Sequence, residues 1–312
     1  MKYRWQITPQ ITQFLIKLEA QKISLENINQ LPHIELAIRT RSILRSAVYS
    51  AKIEGFLDEE SSPKKESQNL LLAYNKIHSN SPKDLSLSKI KGLHKMVMSG
   101  LSANAGVFRS EPWAIFDGNG NAVYLAPMHF EIPKLMGEYL EDIHDTKDHP
   151  AVIAAVAQFI FEKIHPFADG NGRVGRLISA YILIRYGYGF RGLIPFEKYI
   201  ESHRALYYEV LESSHEITEF IQFFLEALTS EVDEIISSLN NREEKREDLL
   251  LPRRKEILNI ISDHPLCTFD QIRRRFMLVN EKTLKYDTSQ LLKKGYIDKV
   301  GATRGALYKK SV

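Results

Sequence analysis

Twelve consecutive residues carry the densest set of chemically useful side chains, His165-Pro-Phe-Ala-Asp-Gly-Asn-Gly-Arg-Val-Gly-Arg176. A glycine-asparagine-glycine loop that opens a helix exposes backbone N–H groups at the positive end of the helix dipole, and such an end binds anions. Arginine adds paired donors that match phosphate oxygens. We therefore predict a phosphate site in this stretch, formed by Gly170, Asn171, Gly172, Arg173 and Arg176.

Two further side chains of the same stretch suit catalysis and metal binding. His165 is the residue here that can accept a proton near neutral pH, which makes it the candidate general base. Asp169 offers a hard carboxylate oxygen, the type of ligand that Mg²⁺ takes beside nucleotide phosphates. The stretch thus predicts a magnesium-nucleotide site with a base next to it.

Rival interpretations use the same residues. Gly170-Asn-Gly-Arg-Val-Gly175 also fits the dinucleotide pattern Gly-x-Gly-x-x-Gly, with Glu197 as the ribose acid. A dinucleotide loop must follow a strand, whereas residues 151–164 are helical in pattern. Alternatively, His165 and Asp169 could be two metal ligands, but the adjacent proline and glycines deny them a regular helix and no third ligand is nearby. Both interpretations are weaker than the phosphate site.

The elements around this stretch are mostly helical in pattern. Residues 151–164 are apolar nearly all round, which is typical of a helix in the middle of a core. A second apolar helix is predicted from about Val174 to Tyr186, before two glycines, and two more helices between Tyr199 and Leu239. The expected fold is mainly α.

One β-hairpin interrupts the helices. Short apolar runs at 113–116 and 123–125 flank the turn signals Asp-Gly and Asn-Gly. The tip of this predicted hairpin is formed by Asp117, Gly118, Asn119 and Gly120.

The C-terminal segment differs from the rest of the chain in charge. Residues 253–312 hold 14 Lys and Arg against 6 Asp and Glu, although the net charge of the whole chain is only +3. After a linker at 241–252, three helical patterns and a two-stranded wing resemble a winged helix-turn-helix domain, with residues 281–294 as recognition helix. This predicts a DNA or protein partner for the segment.

Composition excludes several classes of protein. The 312 residues are 44 % hydrophobic and 26 % charged, which is typical of a globular chain with more than one core. No stretch reaches the roughly 18 apolar residues of a membrane span and the N-terminus lacks an apolar signal core, so we expect a cytoplasmic protein without a membrane partner. The single cysteine, Cys267, excludes a disulfide scaffold and a Cys-rich zinc site, and we expect it to be buried.

The stretch at 165–176 resembles the signature of the Fic family, His-Pro-Phe-x-Asp/Glu-Gly-Asn-Gly-Arg-x-x-Arg, at every defined position. The resemblance implies a helical domain with a β-hairpin flap, in which His165 deprotonates a hydroxyl of a target protein. That hydroxyl attacks the α-phosphate of ATP, so that AMP is transferred and magnesium pyrophosphate leaves. The implied roles are Mg²⁺ binding by Asp169, a phosphate cradle of Gly170, Asn171 and Gly172, phosphate binding by Arg173 and γ-phosphate binding by Arg176.

Other segments fit the same resemblance. Ser50-Ala-Lys-Ile-Glu54-Gly55 is similar to the family's inhibitory helix motif, which implies that Glu54 occupies Arg176 and competes with the γ-phosphate. The hairpin tip at 117–120 lies where the family has the flap that docks the target peptide by strand addition. The region that walls the adenine in relatives holds Tyr199, Tyr207 and Tyr208.

These observations predict an autoinhibited protein adenylyltransferase that uses ATP and Mg²⁺. The predicted organisation is a helical region with the inhibitory motif (1–90), a Fic catalytic domain (91–240), the linker (241–252) and the winged helix (253–312). The same site could instead remove AMP from a modified protein, with Glu54 orienting a water, or serve as a nucleotide sensor in a DNA-binding regulator. Relatives use UTP or CDP-choline through this signature, so the identity of the nucleotide stays open. The target protein, which could be the chain itself, and the oligomeric state, which could be a homodimer, also stay open.

Overall fold

The structure is a computed structural model that describes residues 3–28, 32–56, 59–60, 64–79, 84–116, 122–212, 215–240, 247, 250–264, 266–301 and 306–311. The chain divides into two compact units. The first comprises Met1–Asn29 and Ala37–Asn241, and the second comprises Gln30–Leu36 and Arg242–Val312. Apart from residues 30–36, the regions 1–90 and 91–240 therefore share one unit, and their buried side chains contribute to one hydrophobic core.

The first unit is helical, as the sequence predicts. Its helices are α1 (Pro9–Asn27), α2 (Pro32–Ile53, of which residues 37–53 belong to this unit), α3 (Lys65–Ser79), α4 (Leu87–Val97), α5 (Ile132–Asp145), α6 (Pro150–Ile164), α7 (Asn171–Arg185), α8 (Glu197–Ser202), α9 (Arg204–Glu212) and α10 (Thr218–Asn240). Helix α7 begins at Asn171, earlier than the predicted Val174, because Gly170 forms its N-cap in the left-handed conformation with φ 81°. Three helices rather than the predicted two follow residue 196, since a break at His203 separates α8 from α9.

Helix α6 lies in the middle of this core. Nearly all of its residues are buried, which explains why its sequence is apolar on every side. It packs along α7 and also contacts α5 and α10. Although α6 is strongly apolar, neither it nor any other helix in the described part of the chain is long and apolar enough to cross a bilayer.

The predicted hairpin is present as β1 (Ala114–Phe116) and β2 (Ala122–Leu125), which pair in antiparallel fashion. Ile115 lies opposite Tyr124, and the register shifts directly after Ile115. The Tyr124 hydroxyl donates to the Lys163 carbonyl and so fixes the hairpin to the end of α6. The predicted tip residues lie outside the described part of the chain, namely Asp117, Gly118, Asn119 and Gly120.

The second unit combines three helices with a small sheet. Its elements are α11 (Pro252–Ser262), β3 (Cys267–Thr268), α12 (Phe269–Arg275), α13 (Glu281–Lys293), β4 (Ile297–Val300) and β5 (Leu307–Lys310), with the antiparallel sheet order β3-β5-β4. The capping box ahead of α12 is present, because Thr268 Oγ1 accepts the Gln271 N–H at 3.2 Å. Cys267 is buried in β3, a strand too short for its pattern to predict. The winged helix interpretation needs these elements and stays a prediction.

Candidate active site

The loop between α6 and α7 holds the candidate catalytic stretch. Helix α6 ends at Ile164, and His165 follows in the left-handed conformation with φ 49°. The Asn171 side chain closes the loop, because its Oδ1 accepts the Phe167 N–H at 2.9 Å and its Nδ2 donates to the Phe167 carbonyl at 2.8 Å. Asn171 therefore orders the loop that presents His165 and opens α7.

His165 is held as a neutral base. Its ring stacks on that of Trp113, with 3.6 Å between the ring centroids. Its Nδ1 lies 3.2 Å from the Glu162 carbonyl, so we assign the proton to this nitrogen and leave Nε2 as the acceptor. Burial lowers the pKa of His165 from 6.5 to about 4, so the base form dominates at neutral pH.

Arg109, which lies in no recognisable motif, ties this loop to the hairpin. It is only 6 % exposed. Its Nε donates to the His165 carbonyl at 2.8 Å, and its Nη2 donates to the Pro127 carbonyl, just past β2, at 2.6 Å. Its main-chain N–H donates to the Pro166 carbonyl at 3.0 Å. A single arginine outside any motif carries no signal that could have identified it.

His94 on α4 is a second residue that sequence reasoning missed. The Gly106 N–H donates to its Nδ1 at 2.7 Å, which leaves Nε2–H to donate to the Asp169 carbonyl at 3.0 Å. Its ring stacks on that of Phe167 with 3.7 Å between centroids. A Cβ at Gly170 would lie 2.8 Å from a methionine sulfur of the segment that follows α4, so this close approach requires a glycine. Helix α4 and the residue that follows it therefore pack against the loop and support it.

The first turns of α7 bring two buried arginines to the loop. The side chains of Arg173 and Arg176 are 1 % and 0 % exposed. Arg173 Nη2 donates to Asp169 Oδ1 at 2.8 Å. Arg173 Nε and Arg176 Nη1 are buried, and neither has a hydrogen-bond partner among the described residues. Because a buried donor without a partner costs about 1–3 kcal/mol, these atoms fit an anionic ligand.

A carboxylate of the chain itself occupies part of this site. Arg176 Nη2 donates to Glu54 Oε1 at 2.7 Å and to the Ser50 carbonyl at 2.8 Å, and Arg176 Nε donates to Ser50 Oγ at 3.0 Å. A Cβ at Gly172 would collide with Glu54 Oε1, so the carboxylate lies against the first turn of α7. The structure thus brings Ser50 and Glu54 to Arg176, where the sequence predicts phosphate. Gly55, with φ 89°, follows directly.

Asp169 is the residue of this loop that suits a magnesium ion. Its side chain is 65 % exposed. The hydrogen bonds that it accepts, from the Gly170 N–H at 2.5 Å and from Arg173, both use Oδ1 and leave Oδ2 for a metal. The described residues contain no group of three His, Cys, Asp or Glu side chains that could hold a metal by themselves. The donor set therefore fits an ion that takes its other ligands from phosphates and water, as Mg²⁺ does.

The dinucleotide alternative does not fit this geometry. The glycine loop follows helix α6 rather than a strand. Glu197, its ribose acid, is fully buried and accepts a hydrogen bond from the Tyr74 hydroxyl. Gly175 lies inside α7, where a Cβ would lie 2.7 Å from Glu162 Oε1. Burial raises the pKa of this Glu162 carboxyl to about 8.

The three tyrosines of the predicted adenine wall differ in position. Tyr207 is 1 % exposed and its hydroxyl accepts a hydrogen bond from Gln158 Nε2 at 3.1 Å, so the structure places it in the core rather than on an open wall. Tyr208 is 39 % exposed, and its hydroxyl donates to the Ile53 carbonyl at 2.9 Å. Tyr199 is half-buried and stacks on His203, with 4.0 Å between ring centroids. All three stay predictions as base contacts.

Comparison with known proteins gives the family. Residues 84–183 match the model of the Fic/DOC family. A Fido domain-containing protein of Dictyostelium discoideum is 34 % identical over 137 residues, which are 38 % of this chain and 93 % of that protein. The chain belongs to the Fic/DOC family. The resemblance seen in residues 165–176 is thereby confirmed.

Other Fic proteins match this chain at lower sequence identity. The protein adenylyltransferase Fic of Drosophila melanogaster is 29 % identical over 156 residues, which are 48 % of this chain and only 29 % of that protein. The crystal structure of a Fic family protein from Desulfovibrio desulfuricans G20 has a TM-score of 0.69 at 24 % identity and covers 100 % of this chain and 98 % of its own. A Fic domain-containing signaling protein from Bacteroides thetaiotaomicron has a TM-score of 0.61 at 18 % identity. These structures confirm the mainly α fold.

Proposed function

We propose that this Fic/DOC chain is a protein adenylyltransferase, a nucleotidyltransferase that moves AMP from ATP to a hydroxyl of a target protein. The Drosophila relatives carry the name protein adenylyltransferase. The observation that carries the proposal is a neutral, partly buried histidine one short loop before a helix N-terminus that holds two buried arginines. A base and a phosphate site are the two parts that this transfer needs.

The chain would hold ATP chiefly by its phosphates. The first backbone N–H groups of α7 have no partner within the helix and point toward the loop. The buried Arg173 Nε and Arg176 Nη1 would donate to phosphate oxygens. Mg²⁺, bound by Asp169 and the phosphates, would neutralise charge on the leaving pyrophosphate. Asn171 and His94 keep the loop in the shape that lets these groups converge.

His165 would accept the proton of the target hydroxyl at Nε2. The hydroxyl oxygen then forms a bond to the α-phosphorus of ATP, the bond to pyrophosphate breaks, and its electron pair leaves with the pyrophosphate. The Nδ1–H bond to the Glu162 carbonyl would stabilise the imidazolium that forms. Phosphates beside the ring would raise its pKa from about 4 toward neutrality, which suits a base working near pH 7.

The hairpin would dock the target. Because β1 and β2 form a two-stranded sheet, an extended peptide could add to an outer edge of the hairpin. Trp113, directly before β1, stacks on His165, so a peptide along this strand would pass near the base. The tip at 117–120 belongs to the same proposal.

Glu54 would inhibit the transfer. Its carboxylate and the γ-phosphate need the same Arg176 guanidinium, which cannot serve both. A charge-assisted hydrogen bond contributes about 1.5–3 kcal/mol, so Glu54 would weaken productive ATP binding by about 10- to 100-fold. This step makes the enzyme autoinhibited.

We also propose that residues 253–312 bind a nucleic acid. Lys282, Lys285 and Lys293 are exposed on α13, the helix in the recognition position, and Tyr286 between them is 58 % exposed. Such a face attracts phosphates without needing a buried site. The alternative is that this face binds a protein, and a DNA-binding measurement distinguishes the two.

A panel of labelled nucleotides tests the enzyme proposal. The Glu54→Gly chain is incubated with ATP, UTP or CDP-choline, with and without cell lysate, and products are read by intact mass. The Glu54→Gly/His165→Ala chain is the control. Addition of one AMP with ATP, absent in the control, is the expected result. Another transferred group would replace ATP as the substrate. Removal of AMP from a pre-modified protein, without any transfer, would favour the hydrolase, and no change in any arm would reject the enzyme.

A further inference from the structure

The end of helix α2 carries Glu54, so whatever holds that end also sets the position of the inhibitory carboxylate. Glu54 is the first residue after the helix, and Gly55 and Phe56 fold back on it. The Gly55 N–H donates to the Lys52 carbonyl at 2.8 Å, and the Phe56 N–H donates to the Ala51 carbonyl at 3.2 Å. These two bonds are those of a Schellman motif, which explains why Gly55 takes φ 89°.

The last four carbonyls of a helix have no donor within the helix and need partners from elsewhere. In α2, the Schellman motif satisfies the carbonyls of Ala51 and Lys52. The carbonyl of Ser50 accepts from Arg176 Nη2 at 2.8 Å, and that of Ile53 accepts from the Tyr208 hydroxyl at 2.9 Å. Two donors outside the segment therefore hold this end, and one of them is the arginine that ATP would need.

Helix α9 supplies the other donor and a cation beside it. Arg204 lies one turn before Tyr208, and its guanidinium is 5.7 Å from the centre of the Tyr208 ring. Arg204 Nη2 lies 3.7 Å from the position of a Cβ at Gly55. A positive charge at the C-terminal end of a helix stabilises it, because that end carries the negative pole of the helix dipole. Burial, and to a smaller extent the negative charge of Glu54, raises the pKa of the Tyr208 hydroxyl, so this hydroxyl remains a hydrogen-bond donor at neutral pH.

We propose that Tyr208 is a positioning residue for the inhibitory contact: its hydroxyl holds the last carbonyl of α2 and so keeps Glu54 on Arg176. The inference rests on the proposed function, in which the Glu54–Arg176 contact suppresses transfer. It gives Tyr208 a part in regulation that does not depend on contact with the nucleotide base. It also places a release point for the inhibitory helix on α9, outside the motif at 50–55.

The matched variants Tyr208→Phe and Tyr207→Phe test the proposal. Each removes one hydroxyl from neighbouring positions on α9, but the Tyr207 hydroxyl bonds to Gln158 and not to α2. Loss of one hydrogen bond shifts an equilibrium by about two- to twelve-fold. Tyr208→Phe should raise AMP transfer by that factor, whereas Tyr207→Phe should not raise it. In the Glu54→Gly background Tyr208→Phe should give no further rise in transfer, because the carboxylate that it positions is gone.

Amide hydrogen exchange gives a readout that does not require enzyme activity. The Gly55 and Phe56 amides should exchange faster in Tyr208→Phe, by a similar factor, and at the original rate in Tyr207→Phe. Unchanged exchange in Tyr208→Phe, or an equal change in transfer with and without Glu54, would overturn the positioning role. If Glu54→Gly itself transfers no AMP, the proposed function fails, while the exchange rates still decide whether Tyr208 holds the helix end.

Discussion

The two units differ in which partner of an ion pair is buried: the cation in the first unit and the acid in the second. In the first unit the Arg176 side chain is 0 % exposed, and the Glu54 side chain that it bonds is 25 % exposed. In the second unit the Asp287 side chain is 2 % exposed, and Arg253 and Arg254, which donate to it, are 41 % and 13 % exposed. A buried cation with a reachable acid can exchange that acid for another anion. A buried acid covered by two arginines is a fixed contact between α11 and α13.

A third class of ion pair is exposed to solvent on both sides, so that burial holds neither partner in place. Lys285 and Glu281 on α13 are 2.6 Å apart, with side chains 63 % and 41 % exposed. Solvent and salt screen such pairs, so they add little to stability. We therefore expect specific anion binding by the arginines of the first unit, a structural role for Asp287, and non-specific attraction of phosphates by the lysines of α13.

The largest expected effect is a loss of AMP transfer without a loss of ATP binding, which would show that the base and the phosphate site of the first unit act separately. In the Glu54→Gly background, His165→Ala should lower AMP transfer by about 10²- to 10⁴-fold, because proton transfer contributes about that much. ATP binding should stay within a few-fold, since arginines and backbone N–H groups hold the phosphates. Both are measured on one preparation, by mass spectrometry and by calorimetry. Loss of ATP binding would make the role of His165 structural.

Removal of the buried acid in the second unit should cost stability and leave the chemistry intact. Asp287→Ala leaves Arg253 and Arg254 without their shared acceptor, and we expect a loss of about 1–3 kcal/mol in the free energy of unfolding of that unit. Glu281→Ala, on the exposed face of the same helix, is the control and should leave stability unchanged. Denaturant unfolding measures both. Equal effects would show that burial does not distinguish the two acids.

The lysine face of α13 should show the salt dependence of an exposed surface. If residues 253–312 bind duplex DNA, the logarithm of the binding constant should fall with the logarithm of salt concentration at a slope near −0.9 for each phosphate neutralised. Lys282→Ala and Lys285→Ala should each reduce the slope by about one. Fluorescence anisotropy at several salt concentrations measures this. A flat slope, or no binding at low salt, would indicate a protein partner instead.

The pH dependence of transfer should show the smallest effect. Burial lowers the pKa of His165 to about 4, so the ring loses its basic form only as the pH falls toward 4. Bound ATP would raise that value, so the free enzyme is examined through kcat/KM for ATP. The acid limb of kcat/KM should lie well below the usual 6.5, because the histidine of the free enzyme has the lowered pKa. Rates of the Glu54→Gly chain from pH 5 to 8 test this, with circular dichroism to show that it stays folded. An acid limb near 6.5 would place His165 in contact with water.

Sequence reasoning succeeded where residues form a contiguous pattern and failed where contacts join distant segments. Residues 165–176 indicated the family because their spacing alone specifies a loop, a helix start and its donors, and α6 was predicted because it is apolar on every side. Arg109 and His94 were missed, since each acts through backbone groups far along the chain. The burial of Tyr207 was not predicted, because helical spacing cannot tell which tyrosine of a pair points inward.

The activity of Glu54→Gly tests the central claim most directly, namely that Arg176 exchanges a carboxylate of the chain for a phosphate of ATP. We expect AMP transfer by Glu54→Gly, to the chain itself or to an added target, to exceed that of the unmodified chain by about 10- to 100-fold. Arg176→Ala should cancel the gain in the double variant, because both changes act through one contact at 2.7 Å. If Glu54→Gly is no more active across a wide range of ATP and Mg²⁺ concentrations, the carboxylate does not inhibit and the account is contradicted.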